Sequence, residues 1–132
     1  MSGAPHTYDY AIVRVVPRVE RGEFINAGVI VSCPGAKLLA CGFDLDEVRL
    51  AALDPTADIE AIRKHLEAFE RICNGGADAG PIGELPARQR FYWLTAPRSS
   101  IIQTSPAHTG RAREAGDVVE RLLDTMVRVR PR

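Results

Sequence analysis

The sequence predicts a single α+β domain, an antiparallel sheet of three to five strands with two main helices packed on it. Three observations lead there. The first 43 residues hold β-branched and aromatic runs separated by Gly and Pro. Residues 59–73 then repeat apolar side chains at helical spacing, and residues 117–129 do so again. With 132 residues, 45% hydrophobic and 26% charged, the chain fits one core and needs no disulfides to close it. The domain is expected over residues 8–130, behind a flexible start at residues 1–7.

Residues 8–19, YDYAIVRVVPRV, suit a strand. Tyr8, Tyr10, Ile12 and Val16 fall on one face, with Asp9, Ala11, Val13 and Val15 on the other. Both faces are largely apolar, which predicts cover on both sides. Pro17 lacks a backbone donor and marks an edge, a bulge or the strand's end. The polar stretch Glu20-Arg21-Gly22-Glu23 is a turn signal, so residues 24–32, FINAGVIVS, return antiparallel. Cys33-Pro34-Gly35 turns the chain again into a third strand over residues 37–43, completing a meander.

Residues 44–53 suit a short helix capped by Asp44. Ile59, Ile62, Leu66, Phe69 and Cys73 make the clearest stripe, with Thr56 or Asp58 as the cap and Asn74-Gly75 as the stop. Residues 75–83 read as a linker. Residues 86–95 suit a helix with Pro86 in its first turn and Pro97 beyond its end. Residues 101–104 suit a short strand. The last helix, residues 117–129, carries the stripe Val119, Leu122, Met126 and Val129, with Asp117 at its start and Arg128 and Arg130 at its end suiting the helix dipole.

Charge narrows the function. The formal net charge is zero, but residues 1–83 hold 8 basic and 12 acidic side chains, and residues 84–132 hold 9 basic and 5 acidic. No acid lies between Glu84 and Glu114, where Arg88, Arg90, Arg98, Arg111 and Arg113 fall. A neutral total makes nucleic acid an unfavoured partner, with the acid-free stretch the one place for it. No apolar run approaches the roughly 18 residues of a membrane span. The opening MSGAPHTYDY has neither basic nor apolar signal regions. The odd cysteine count, Cys33, Cys41 and Cys73, reads as reduced thiols, so a cytoplasmic protein is expected.

The motifs of common chemistry are missing. His6, His65 and His108 are far apart, no CxxC or HExxH occurs, and no metal or cofactor is expected. GxGxxG, GxxxxGK[ST] and GxSxG are absent too. What remains are polar residues in apolar surroundings. Arg14 shares a strand face with Ile12 and Val16, where its charge either snorkels to water or is held for an anion. Asn26 stands among Ile25, Ala27, Val29 and Ile30, serving a bulge or turn near Pro17 or contacting a ligand. Whether the two face the same side depends on the hairpin register.

The richest segment is residues 93–110, WLTAPRSSIIQTSPAHTG. Arg98 with Ser99, Ser100, Gln103 and Thr109 offers donors and positive charge without a carboxylate, as an anion or phosphate site requires. The plainer reading is a loop, a strand and another loop anchored by Trp93. Ser105 and His108 have the residue types of nucleophile and base, but spacing alone demonstrates no triad.

The blocks YDYAIVRVVPRVERGEFINAGVIV and FYWLTAPRSSIIQTSPAHTG resemble the two signature blocks of the bacterial family named domain of unknown function 3037. The matching positions are Arg14, Pro17, Arg18, Glu20, Phe24, Asn26, Gly28, Trp93, Ala96, Pro97, Arg98, Gln103, Ser105, Pro106, His108, Thr109 and Gly110. No biochemical activity comes with the resemblance. It implies an accessory or regulatory role beside a kinase of the HipA type.

The leading expectation is therefore a non-enzymatic binding or regulatory module with a protein partner. Its binding candidates are Arg14, Arg18, Asn26, Trp93, Arg98, Gln103, Ser105, His108 and Thr109. The alternative is an enzyme or small-ligand site for a phosphate-bearing substrate, using Arg98, Ser105 and His108. Nucleic-acid binding through residues 85–113 comes third.

Overall fold

The computed structural model describes residues 4–129. Five antiparallel strands form one sheet: β1 (His6–Val15), β2 (Ile25–Cys33), β3 (Leu38–Phe43), β4 (Ile102–Thr104) and β5 (His108–Ala112). Their order is β3-β2-β1-β4, and β5 continues the β4 edge by pairing with the first half of β1. The expected meander is the β3-β2-β1 part. The segment expected to be flexible lies partly outside the described residues, and its His6 and Thr7 already pair with Ala112 and Arg111.

Among the described residues five helices accompany the sheet: α1 (Glu47–Leu53), α2 (Ile59–Asn74), a single turn α3 (Gly80–Gly83), α4 (Ala87–Thr95) and α5 (Val118–Leu122). The residues chosen for the caps explain the boundaries. Asp46, not Asp44, caps α1 by accepting from the Arg49 amide at 3.1 Å. Asp58 caps α2 through the Ala61 amide, also at 3.1 Å. Gly75 ends α2 at φ 78°, which a side chain would strain. Pro86 stands just before α4 instead of in its first turn, its φ of −55° and ψ of 151° being extended.

The apolar character of both β1 faces is explained by two cores. Val13, Val15, Ile25, Ala27 and Ile30 pack against α1, α2 and α4 through Leu50, Ile62, Leu66, Phe69, Phe91 and Leu94. On the opposite face Tyr8, Ile12, Val29, Val31 and Cys33 meet Val118, Leu122, Leu123 and Val127. The sheet is thus the middle of three layers. Gly42 lets α5 approach: an added Cβ would come within 2.7 Å of Val119 and 2.8 Å of Leu123.

The C-terminal stripe needs correction. After Leu122 the helix widens into a π-turn over Leu123–Val127, closed by the Arg128 amide on the Leu123 carbonyl at 2.8 Å. The wider turn rotates the following residues relative to a 3.6-residue repeat. The buried side chains become Val118, Leu122, Leu123 and Val127, while Met126 and Val129 are exposed. Arg130 lies outside the described residues. Among the described residues no helix is long and apolar enough to cross a membrane.

Candidate binding surface

The hairpin register decides where Arg14 and Asn26 point. From Asp9 to Val13 each β1 residue faces its β2 partner in regular order, with Val13 opposite Gly28. One residue later Arg14 faces Asn26, so Ala27 is the extra residue of a bulge. Across the other edge Arg14 faces Gln103 of β4. Directly opposed residues project to the same side of a sheet. Asn26, Arg14 and Gln103 therefore form a row across three strands, on the face that carries α5.

Each member of the row is held differently. The Arg14 guanidinium lies 4.3 Å from the centroid of the exposed Phe24 ring. Its Nε is buried and makes no hydrogen bond, and it forms no ion pair among the described residues. Asn26 donates from Nδ2 to the Met126 carbonyl of the π-turn at 3.0 Å, tying the C-terminal helix to the sheet. Its Oδ1 is buried without a partner. Gln103 donates from Nε2 to the Ser100 carbonyl at 2.9 Å. A buried donor and a buried acceptor are left without partners on residues facing each other across β1 and β2.

The other candidates do not join this row. Arg98 is a helix cap: it donates to the Trp93 carbonyl at 2.7 Å and lies 4.8 Å from the Trp93 ring and 5.2 Å from that of Phe69. Burial pulls its guanidinium below the usual arginine pKa. It belongs to the α2–α4 side of the sheet, away from Arg14. Trp93 is partly exposed and serves as the surface on which Arg98 stacks. Arg18 lies 3.7 Å from the buried Asp54 carboxylate. That carboxylate is held below its usual range by the Thr56 hydroxyl first, and by the Thr56 amide next.

Ser105 has a structural task. Its amide donates to the Ile12 carbonyl at 2.8 Å, and its Oγ accepts from the Ile12 amide at 2.9 Å. The hydroxyl proton goes to the Pro106 carbonyl, also at 2.9 Å. Ser105 thus supplies both halves of a ladder rung where Pro106 interrupts the strand between β4 and β5. His108 is exposed and stacks on Tyr10, with ring centroids 5.5 Å apart. The grouping of Arg98, Ser105 and His108 into one phosphate site is therefore not formed: one caps a helix, one is buried in the ladder, and one lies on the outer strand.

A second polar cluster is not predicted as a unit from the sequence, where Thr109 alone of its members is a binding candidate. Arg88 of α4 meets Asp9 at 2.6 Å, donates to Ser32 Oγ at 2.8 Å and to Tyr92 OH at 3.1 Å. Thr109 Oγ1 donates to the other Asp9 oxygen at 2.9 Å. Arg88 first, then Thr109, hold the Asp9 carboxyl below its usual range against the opposing effect of burial. The single available clue was an acid on the apolar face of β1; its partner lies 79 residues away. Among the described residues no group of three His, Cys, Asp or Glu side chains could hold a metal ion.

These features define a three-layer α+β domain whose polar sheet residues are mostly consumed by the fold, with one row left incompletely satisfied. The chain belongs to the family described as Protein of unknown function (DUF3037), whose model matches residues 10–127. No curated protein and no solved structure matches the chain.

Proposed function

We propose that the protein is a non-enzymatic binding module that holds a carboxylate-bearing segment of a partner protein on the sheet surface around Arg14. The observation that carries this reading is the Arg14 guanidinium, clamped by Phe24 with no acid opposite it and its Nε unmatched. Burying an arginine donor without a partner is unfavourable, and a bidentate carboxylate is its best complement. Exposed Phe24 and Met126 border the row and supply apolar contact.

A kinase of the HipA type, implied by the resemblance, is the first partner to test. The nucleic-acid reading loses support because three of the five arginines in the acid-free stretch are engaged: Arg88 with Asp9, Arg90 with the Ile72 and Cys73 carbonyls, and Arg98 with that of Trp93. The test is co-purification with the kinase, followed by titration of wild-type, Arg14→Ala and Arg14→Lys protein. The expected result is binding that weakens about tenfold or more in Arg14→Ala and is only partly restored by lysine, which lacks the planar fork. Unchanged affinity in a folded Arg14→Ala protein would sink the proposed surface, and absence of any specific partner would sink the module.

A further inference from the structure

A separate site lies at the far edge of the sheet. β3 is the outermost strand, and its sequence LLACGF contains no charge and no proline. Natural edge strands are usually blunted by one or the other. The Asp44 amide bonds the Ala27 carbonyl directly opposite it, at 2.8 Å. In an antiparallel ladder this fixes alternate residues, Gly42, Ala40 and Leu38, as those whose backbone groups face β2. The N–H and C=O groups of Leu39, Cys41 and Phe43 consequently point away from the sheet, a ready template for one more strand.

At the Phe43 end of that edge lies a groove of about 390 Å³ against α2. Phe43, Leu45 and Leu66 give it an apolar floor, and its rim holds three glutamates and one arginine. The arginine, Arg63, is engaged by Glu47 and Glu60. Glu67 and Glu70 have no ion pair among the described residues, so the rim facing the edge is acidic.

We infer that the groove between β3 and α2 receives an extended basic segment of a partner protein, added to β3 as a further strand. The backbone groups of Leu39, Cys41 and Phe43 supply the ladder bonds. Alternate residues of the added strand face α2. One of them, apolar, drops onto Phe43 and Leu66, and its neighbours two positions along, lysine or arginine, reach Glu67 and Glu70. A second copy of this chain is the wrong occupant. Pairing β3 with β3 brings two acidic rims together, and like charges so placed oppose association.

The experiment uses a capped peptide of about eight residues alternating valine and lysine, long enough for one strand. Controls carry glutamate for lysine, or N-methyl groups on alternate amides. Fluorescence anisotropy is expected to show binding of the valine–lysine peptide that weakens with added salt. Glu67→Lys with Glu70→Lys, both on the helix surface, reduces that affinity about tenfold or more and transfers preference to the valine–glutamate peptide. Backbone N-methylation abolishes binding, and amide exchange at Leu39, Cys41 and Phe43 slows when the unmodified peptide is bound. Arg14→Ala leaves this binding unchanged, which separates the groove from the surface proposed above. Failure of wild-type protein to bind the peptide overturns the inference. So do binding without added protection of those three amides, loss of binding in Arg14→Ala, or a concentration-dependent dimer built on β3.

Discussion

Replacing Ser105 with alanine removes one oxygen from a site that is 3% exposed. The Ile12 amide then loses the acceptor it holds at 2.9 Å, on a residue that is itself only 6% exposed. The Pro106 carbonyl loses its donor as well, but it can turn toward solvent. Stranding one buried backbone N–H costs about 1–3 kcal/mol. With a urea m-value of about 2 kcal/mol/M for a chain of this size, a loss near 2 kcal/mol lowers the unfolding midpoint by about 1 M at unchanged m. The assay is equilibrium urea unfolding followed by circular dichroism, with amide exchange at Ile12 as the local reporter. A stability loss below about 0.5 kcal/mol, together with unaltered Ile12 exchange, would refute the reasoning and reopen a chemical role for the hydroxyl.

Other consequences can be measured in parallel. Gly28→Ala places a methyl group 2.4 Å from Phe43 Cδ1 and 2.6 Å from the Gly42 carbonyl, so destabilisation of about 2–3 kcal/mol is expected in the same assay. Phe43→Ala should relieve only part of it, because the carbonyl stays. The Asp9 carboxyl titrates below its unfolded value, so the unfolded chain binds the extra proton and the Asp9–Arg88 contribution is lost as pH falls through the depressed folded pKa. Asp9→Asn should flatten the stability–pH curve below about pH 4; an unchanged acid limb would count against the pairing. The Cys41 thiol is pushed up by its Cys73 neighbour and by burial. Alkylation of native Cys41 at pH 8 should run at least about tenfold slower than in denaturant, and equal rates would contradict the packing.

The parts legible in the sequence are those governed by local rules. The meander was visible because β-branched runs alternate with Gly and Pro, and α2 because Ile62, Leu66, Phe69 and Cys73 keep helical spacing up to a left-handed Gly75. β5 was missed because HTGRA has little strand character of its own; its place comes from pairing with β1, about 100 residues earlier. The C-terminal stripe failed at the π-turn, where an extra residue per turn has no signature in Leu123–Val127. Arg14 and Asn26 were noticeable as polar residues among apolar ones, and Gln103 as a donor in the acid-free stretch. Their alignment depends on a bulge at Ala27, which no residue type announces. Arg98 and Ser105 looked chemical because helix caps and ladder repairs use the same donors as anion sites. The edge groove escaped notice altogether, because its floor is ordinary core material and its rim an ordinary helix face.

β1 is bordered on one side by β2, its neighbour in sequence, and on the other by β4 and β5, whose pairings run from Val15 with Ile102 to His6 with Ala112. During synthesis the meander and α2 emerge first, leaving the β4–β5 side of β1 open until residues 102–112 arrive. That open side belongs to a ten-residue strand with Ala11, Ile12, Val13 and Val15 along it, the kind of edge on which chains aggregate. Protein shortened before residue 102 should therefore accumulate as insoluble material even though most of its helices are intact. The last third of the chain acts as the closure of the first strand, so the protein cannot be divided at residues 75–83 into two halves that fold apart.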